Sequence, residues 1–317
     1  MTQKPPPLPG LLAHAPTAAK GPDVPRLEDL PAAASADPNC DLCDGTGIVV
    51  APEAERAVAT VCECLGECLR CSDGGRVIAI VDGAVRTGRC RCQLPADRAR
   101  LFNAAHMPGR YADASFGSFM RGALRAGDTD KQHSLTSVTQ WLTRFRPHES
   151  NSGLILYGAV GRGKTHLLVA ILRDLALDKG VPVRFVEFTR LLSMLRAGFS
   201  EGRSGNTLMD ELVAIPVLGI DELGKGRLTD WELTVIDELI SRRYNAMACT
   251  LGTTNFHPGP ATGAPPPNAA LVDRSPQSLG DRIGDRVYSR VAEMGDFVEI
   301  GGIDYRDWRR TQDPGFR

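Results

Sequence analysis

The stretch Gly158-Ala159-Val160-Gly161-Arg162-Gly163-Lys164-Thr165 has the spacing G-x-x-x-x-G-K-T, and each fixed position has a chemical reason. Glycines let the backbone curl so that its N–H groups face an anion, and the N-terminus of a following helix adds positive potential. Lys164 is placed to reach the outer phosphates of a nucleotide, and Thr165 to ligate magnesium. Magnesium also needs a carboxylate at a neighbouring strand end. Val217-Leu218-Gly219-Ile220 reads as a buried strand running into Asp221 and Glu222. Asp221 is the candidate metal-side carboxylate, and Glu222 is placed to polarise a water for in-line attack on a terminal phosphoryl group. Another strand pattern ends at Thr253-Thr254-Asn255, where an amide could orient that water. Taken singly, strand-end acids are solvated and Asn255 is more often a turn former; beside a phosphate loop they acquire roles.

A second set of reactive side chains obeys a repeat. Cys40, Cys43, Cys62 and Cys64 recur as Cys68, Cys71, Cys90 and Cys92, each displaced by 28 residues, and Gly47, Val49, Val50 and Ala51 recur as Gly75, Val77, Ile78 and Ala79. This is a duplicated C-x2-C-x18-C-x-C unit. Each unit reads as a short β-hairpin with thiols at one end, and eight thiolates make two closed tetrahedral zinc sites. Redox-active thiols and an iron–sulfur centre are the competing uses. Spacing leaves open whether each zinc draws on one repeat or on both. The ninth cysteine, Cys249, lies in a strand pattern and reads as a small buried hydrophobe.

The positioning elements follow from pattern. Gly153–Tyr157 is an apolar strand, followed by a helix with Leu168, Ile171, Leu172 and Leu175 on one face. Further strands are expected at Val183–Phe188, Val217–Ile220, Cys249–Thr253 and Phe297–Ile300, with helical patterns between them. Alternating strands and helices predict an α/β fold, a parallel sheet with helices on both faces. Leu279 to Arg290 reads as one helix with Arg282, Arg286 and Arg290 stacked on one face. The expected organisation is a disordered Pro/Ala-rich tail at 1–39, where nine of the 22 prolines fall, a zinc module at 40–94, a helical connector at 95–150 and the α/β domain at 151–317. His257–Pro276, with six prolines, is expected to be a surface loop.

Across the 317 residues, 42% are hydrophobic, 24% are charged and the formal net charge is −1. This charge argues against a uniformly basic nucleic-acid coat, so DNA binding would need a local arginine patch. A start of Met1-Thr2-Gln3-Lys4 followed by three prolines, with no long apolar run, points to a cytoplasmic protein with no membrane partner.

Taken together, these residues resemble the AAA+ ATPases of the DnaC/DnaI helicase-loader and IstB transposition-helper family. The resemblance rests on YGAVGRGKTHL, GIDELG, Thr-Thr-Asn at 253–255, LGDRIGDRVYSRVAEM with Asp304-Tyr305-Arg306, and upstream Met107-Pro108-Gly109-Arg110-Tyr111 with Ala114-Ser115-Phe116. It implies a P-loop fold binding ATP, with Gly158, Gly161, Arg162, Gly163, Lys164, Thr165, His166 and Asp221 as the cofactor-binding set. Thr165 and Asp221 would hold magnesium. It makes Asn255 the sensor that orients water and Arg290 a trans-acting arginine finger, with Arg286 the nearest competitor, so that the working form is a homo-oligomer. Thr189–Phe199 corresponds to the family's insertion that touches single-stranded DNA, with Arg190 and Arg196 as phosphate contacts. An N-terminal zinc-bearing domain implies a replicative helicase as partner; direct DNA contact by Arg70, Arg76, Arg86, Arg89 and Arg91 is the rival use. The start CDLCDGTG also resembles the cysteine-rich repeats of DnaJ-type chaperones. The sequence departs from the loaders in its longer proline-rich loop and in its duplicated cysteine unit. The expected function is a helicase-loading ATPase. The alternatives are a transposition helper and a nucleotide-switched zinc adaptor with negligible turnover.

Overall fold

The computed structural model describes residues 24–147, 149, 152–200, 205–226, 228–262 and 278–312. The tail as far as residue 23 and the proline-rich loop from 263 to 277 lie outside them. The described residues divide into two compact units, one comprising 24–35 with 66–93, the other 36–65 with the described residues from 94 to 312.

Each cysteine repeat is a hairpin. β1 (Ile48–Glu53) pairs antiparallel with β2 (Arg56–Val61), and β3 (Arg76–Val81) with β4 (Ala84–Arg89). In the smaller unit, residues 24–35 lie against the second hairpin although their composition favours disorder. The Ile80 N–H donates to the Pro25 carbonyl, and Ala33 and Ala34 pack against Cys68, Cys90 and Cys92. In the larger unit the first hairpin packs on α1 (Leu94–Ala104), with Ala57 and Ala59 buried beside Ala99 and Phe102.

After α2 (Phe116–Ala126) and α3 (Thr129–Arg144) the larger unit forms its sheet. This contains β5 (Gly153–Tyr157), β6 (Val183–Glu187), β7 (Val217–Asp221), β8 (Cys249–Thr254) and β9 (Gly295–Glu299), all parallel, in the order β6-β7-β8-β5-β9. Crossovers run through α4 (Lys164–Leu177), α5 (Phe188–Ser200), α6 (Gly205–Ala214) and α7 (Asp230–Asn245). Both faces are covered, which is why β7 and β8 read as continuous apolar or small-residue runs and are buried at every position. Parallel strands put the ends of β5, β7 and β8 on one edge of the sheet, so the glycine loop and the Asp221–Glu222 pair share a side, separated by the end of β8. Ile300, expected inside the last strand, lies just beyond β9, but its N–H still donates to the Tyr157 carbonyl at 2.8 Å.

The expected single arginine helix is two. α8 (Leu279–Ile283) ends and α9 (Asp285–Met294) begins at Gly284, whose φ of +83° stops helical continuation. Arg282 therefore does not stack with Arg286 and Arg290. It bonds the Gly224 carbonyl at 3.1 Å and lies over the Phe256 ring, tying together the loops that follow β7 and β8.

The chain then returns to the glycine loop. The carboxylate of Asp128 accepts from the Ile303 N–H at 2.9 Å, and the buried Lys131 ammonium donates to the Ile303 carbonyl at 2.9 Å. This fixes α10 (Tyr305–Gln312), whose first N–H, that of Tyr305, donates to the Gly161 carbonyl at 3.0 Å.

Arg243 on α7 is fully buried and faces no carboxylate. Its guanidinium bonds the Thr250 hydroxyl at 3.0 Å and the carbonyls of Leu212, Ile215 and Cys249, so one side chain satisfies the end of α6 and the start of β8. Arg243→Met should leave these acceptors without donors and cost about 3 kcal/mol or more, read as a fall in the urea midpoint.

Candidate functional site

The glycine loop leaves β5 and enters α4 with Gly158, Gly161 and Gly163 at φ of +138°, +79° and +93°. Gly161 has a second constraint: a Cβ there would fall 2.0 Å from the Asp304 carboxyl carbon. Gly163 caps α4, so the free N–H groups of the first helical turn open onto the loop. The Lys164 ammonium turns back onto the loop, donating to the carbonyls of Gly158 at 2.9 Å and Ala159 at 2.8 Å. Burial lowers its pKa to about 8, with the nearby Asp221 acting in the opposite direction.

Asp221 is the hub of the site. The Thr165 hydroxyl donates to its two oxygens at 2.9 and 3.2 Å, and the Thr253 hydroxyl donates to Oδ1 at 2.6 Å. Three elements meet there: the start of α4 and the ends of β7 and β8. Burial raises the Asp221 carboxyl above the usual carboxylate range, and the two threonine hydroxyls pull it back. A hydroxyl and a carboxylate oxygen in contact are a hard-oxygen donor pair of the kind that holds magnesium beside phosphate. Glu222 follows with φ +58°, a left-handed conformation that turns its side chain out of the strand register. Its N–H donates to Thr253 Oγ1 at 2.9 Å, and its carboxylate is paired with Lys225, which also lies 3.7 Å from Glu187.

A cavity of about 410 Å³ lies over this hub. Val160 to His166, Glu222, Thr253 and Asn255 line it, joined by Tyr111, Ser118 and Phe119 from the connector and by Tyr305, Arg306 and Arg309 from the C-terminal helix. The structure thus brings the loop, both acids and Asn255 together. His166 is turned away from solvent: its Nε2 lies 3.0 Å from Ser118 Oγ and 3.1 Å from the Ser115 carbonyl, and burial lowers its pKa. Arg290 lies outside the cavity. Its guanidinium donates to Asp237 on α7 at 2.9 Å, and Arg286 lies 3.7 Å from the same carboxylate. Arg190 is exposed and 4.0 Å from Glu55, whereas Arg196 bonds Glu232 and covers the Trp231 ring. Leu192 and Leu195 are core residues; the Phe199 side chain lies outside the described residues.

Thr253 has no assigned role in the sequence reading, yet it joins Asp221 to Glu222. The available signal was a hydroxyl at the next-to-last position of an otherwise buried strand, next to one ending in an acid.

The eight thiols form two groups, each drawn from one repeat, and within each group all Sγ atoms lie within 4.8 Å of one another. Sγ separations match between copies: 3.7 Å for Cys40–Cys62 and Cys68–Cys90, 3.5 Å for Cys43–Cys64 and Cys71–Cys92. Four thiolates at ~2.3 Å from one tetrahedral ion stand ~3.8 Å apart, so the spacing is compatible with zinc. Backbone N–H groups of Gly47 and Ala34 point at Cys43 and Cys68 Sγ at 3.3 and 3.4 Å, the pattern that supports charged sulfur. Cys249 is buried and apart from both groups.

Residues 130–259 match the family model of IstB-like ATP binding proteins. Among relatives, YqaM of Bacillus subtilis (strain 168) is 27% identical over 161 residues, covering 49% of this chain and 50% of that protein. The chain thus spans about half the length of YqaM. The replicative helicase loader DnaC of Escherichia coli (strain K12) is 24% identical over 65% of this chain and 76% of its own length. The replicative helicase loader DnaI of Bacillus subtilis (strain 168) is 30% identical over 38% of this chain and 39% of its own. No helix among the described residues is long and apolar enough to cross a membrane. With its glycine loop, acidic strand end and five-stranded parallel sheet, the chain carries an IstB-like ATP-binding domain over residues 130–259, is similar over part of its length to the DnaC and DnaI helicase loaders, and has two four-cysteine clusters ahead of its glycine loop.

Proposed function

We propose that this protein hydrolyses ATP with magnesium as an oligomer, binds single-stranded DNA and delivers or remodels a replicative helicase. The observation that carries the reading is the Thr165–Asp221 hydrogen bond at 2.9 Å, which joins the end of the phosphate loop to the acidic strand at the spot where one ion would touch both. In this reading Lys164 leaves the loop carbonyls for the outer phosphates, while Thr165 and Asp221 hold the magnesium, which supplies charge neutralisation during phosphoryl transfer. Glu222 exchanges Lys225 for a water and takes its proton, and Asn255 orients that water. Arg162 and His166 belong to the nucleotide-binding set, His166 by fixing the loop to Ser115 and Ser118. Arg290 exchanges Asp237 for the nucleotide of a neighbouring subunit, with Arg286 the alternative finger. Arg190 and Arg196 on α5 contact single-stranded DNA. Each four-thiolate cluster holds a zinc ion in a closed structural role.

The match to an IstB-like model favours a second reading, a transposition helper. Co-purification with a helicase supports the first reading and co-purification with a transposase the second. A nucleotide-switched adaptor is distinguished by a turnover rate that single-stranded DNA does not stimulate.

Glu222→Gln should bind ATP as well as the parent and lose about 10²-fold or more in turnover. Arg290→Ala should be inactive alone, and in mixtures with Lys164→Ala it should recover activity, because each subunit then supplies what its neighbour lacks. Steady-state phosphate release checks both. Because burial holds the Lys164 pKa at about 8, the ammonium is charged at pH 7 and largely neutral at pH 9. Nucleotide affinity should fall as pH rises through this range. At pH 8.5 binding should take up protons, detected as a buffer-dependent calorimetric enthalpy that is lost near pH 7. Stability without nucleotide should move the other way, rising as pH passes from about 8 toward the ordinary lysine range, since the unfolded chain then binds more protons. Metal analysis should give two zinc ions per chain. Cys90→Ser should remove one without moving the melting temperature of the ATPase domain, whereas Cys62→Ser should remove one and lower it, because the first hairpin is part of that domain's core.

A further inference from the structure

The two cysteine hairpins are copies put to different uses. In the first, the face made by Ile48, Val50, Ala57 and Ala59 joins the core, with Ala57 and Ala59 only 2% and 3% exposed. Its edge strand is occupied as well. The Ala57 N–H donates to the Met107 carbonyl at 2.8 Å, the Ala59 N–H to Asn103 Oδ1 at 2.7 Å, and Asn103 Nδ2 returns a bond to the Ala59 carbonyl at 2.9 Å. The cover is therefore a helix, α1, that buries Ala99 and Phe102 against the hairpin, followed by an extended run. A shift of 28 residues carries Ile48, Val50, Ala57, Ala59 and Val61 onto Arg76, Ile78, Val85, Thr87 and Arg89. The strand register is the same, Ile48 opposite Val61 and Arg76 opposite Arg89. On the second copy this face is open, with Ile78 54% and Val85 61% exposed. The opposite face is the one closed within the unit, where Ala79 is 2% exposed and Val77 packs beside Ala33 and Ala34.

We propose that the open face of the second hairpin docks an amphipathic helix of another protein, one whose apolar stripe is flanked by acidic side chains. The first repeat shows what this hairpin face accepts: a helix laid across it, with an amide side chain reaching the edge strand. The substitutions between copies state the charge of the guest. Arginines at 76 and 89 stand where the first copy has Ile48 and Val61, so the cysteine end of the face has become cationic while its centre stays apolar. An exposed apolar centre with a charged rim marks a protein-binding surface. Single-stranded nucleic acid is the poorer guest, since residues 24–35 and 66–93 contain no Phe, Tyr or Trp on which a base could stack, and Glu67, Asp73 and Asp82 offset part of the positive charge.

The test uses the full-length, metal-loaded protein and a labelled synthetic peptide with the sequence of residues 94–109 carrying Arg98→Glu and Arg100→Glu, the charge-reversed counterpart of α1. Fluorescence anisotropy should show saturable binding, weakened about tenfold or more by Val85→Glu or Ile78→Glu and by the pair Arg76→Glu with Arg89→Glu. Met247→Glu, a control at an exposed site in the other unit, should bind like the parent. The altered side chains are exposed, so unchanged metal content and circular dichroism check that each variant is folded. Absence of saturable peptide binding, or equal binding by Val85→Glu, overturns the proposal. So does a single-stranded oligonucleotide whose binding is lost in these variants and is not displaced by the peptide. Self-association abolished by Val85→Glu without peptide binding overturns it in favour of a face between copies.

Discussion

One buried carboxylate organises the edge of the sheet that carries the glycine loop. Asp221 is 7% exposed and carries no cation partner in direct hydrogen bonding; two threonine hydroxyls satisfy it, one from the start of α4 and one from the end of β8. A buried acid held only by neutral donors keeps a raised pKa, and a divalent ion placed beside it would relieve that cost. The same contacts fix the relative height of three strand ends, because a shift of β7 against β8 or β5 would break one hydroxyl bond and leave an acid oxygen buried alone. Glu222 inherits its position from this arrangement: its N–H is bound to Thr253, and its left-handed backbone brings it to the cavity wall.

Segments before and after the parallel sheet of the larger unit converge on the same loop. The connector supplies Ser115 and Ser118 to His166, and the C-terminal segment, clamped to α3 by Asp128 and Lys131, delivers Asp304 and Tyr305 to Gly161. The burial of Lys131 works against its charge, and both Asp128 and the Ile303 carbonyl offset this. A loop built from glycines has little rigidity of its own, and these contacts on both sides hold it in a phosphate-facing curl.

Duplication of the cysteine unit gave two hairpins of one geometry in different environments, one with its face in the core and one with the matching face exposed. Matching Sγ separations in the two clusters show that the thiol end of each copy was kept as a unit. Small residues at 57 and 59 let α1 approach the first copy closely, whereas Val85 and Thr87 in the second present a broader and open face. A metal held by all four sulfurs of a cluster would have no coordination position left for substrate, so the hairpins would then act through their surfaces.

The local signals were strong wherever chemistry demands a fixed residue at a fixed spacing. G-x-x-x-x-G-K-T after an apolar strand, Asp-Glu ending another, and the 28-residue cysteine repeat were all legible, as was the parallel sheet, because a strand covered on both faces must be apolar throughout. Tertiary structure alone decided what depends on contact between distant segments. Spacing could not say that each thiolate cluster draws on one repeat, since ligands from either copy satisfy the same rule. It could not single out Thr253, whose role exists only because β8 lies between β5 and β7. Helical periodicity could not split the arginine stretch at Gly284, because one glycine in a helix costs only ~1 kcal/mol and the break is set by how α8 caps and packs. Nor could composition reveal that residues 24–35 lie against the second hairpin, as a weakly apolar segment is ordered by its partner and not by itself.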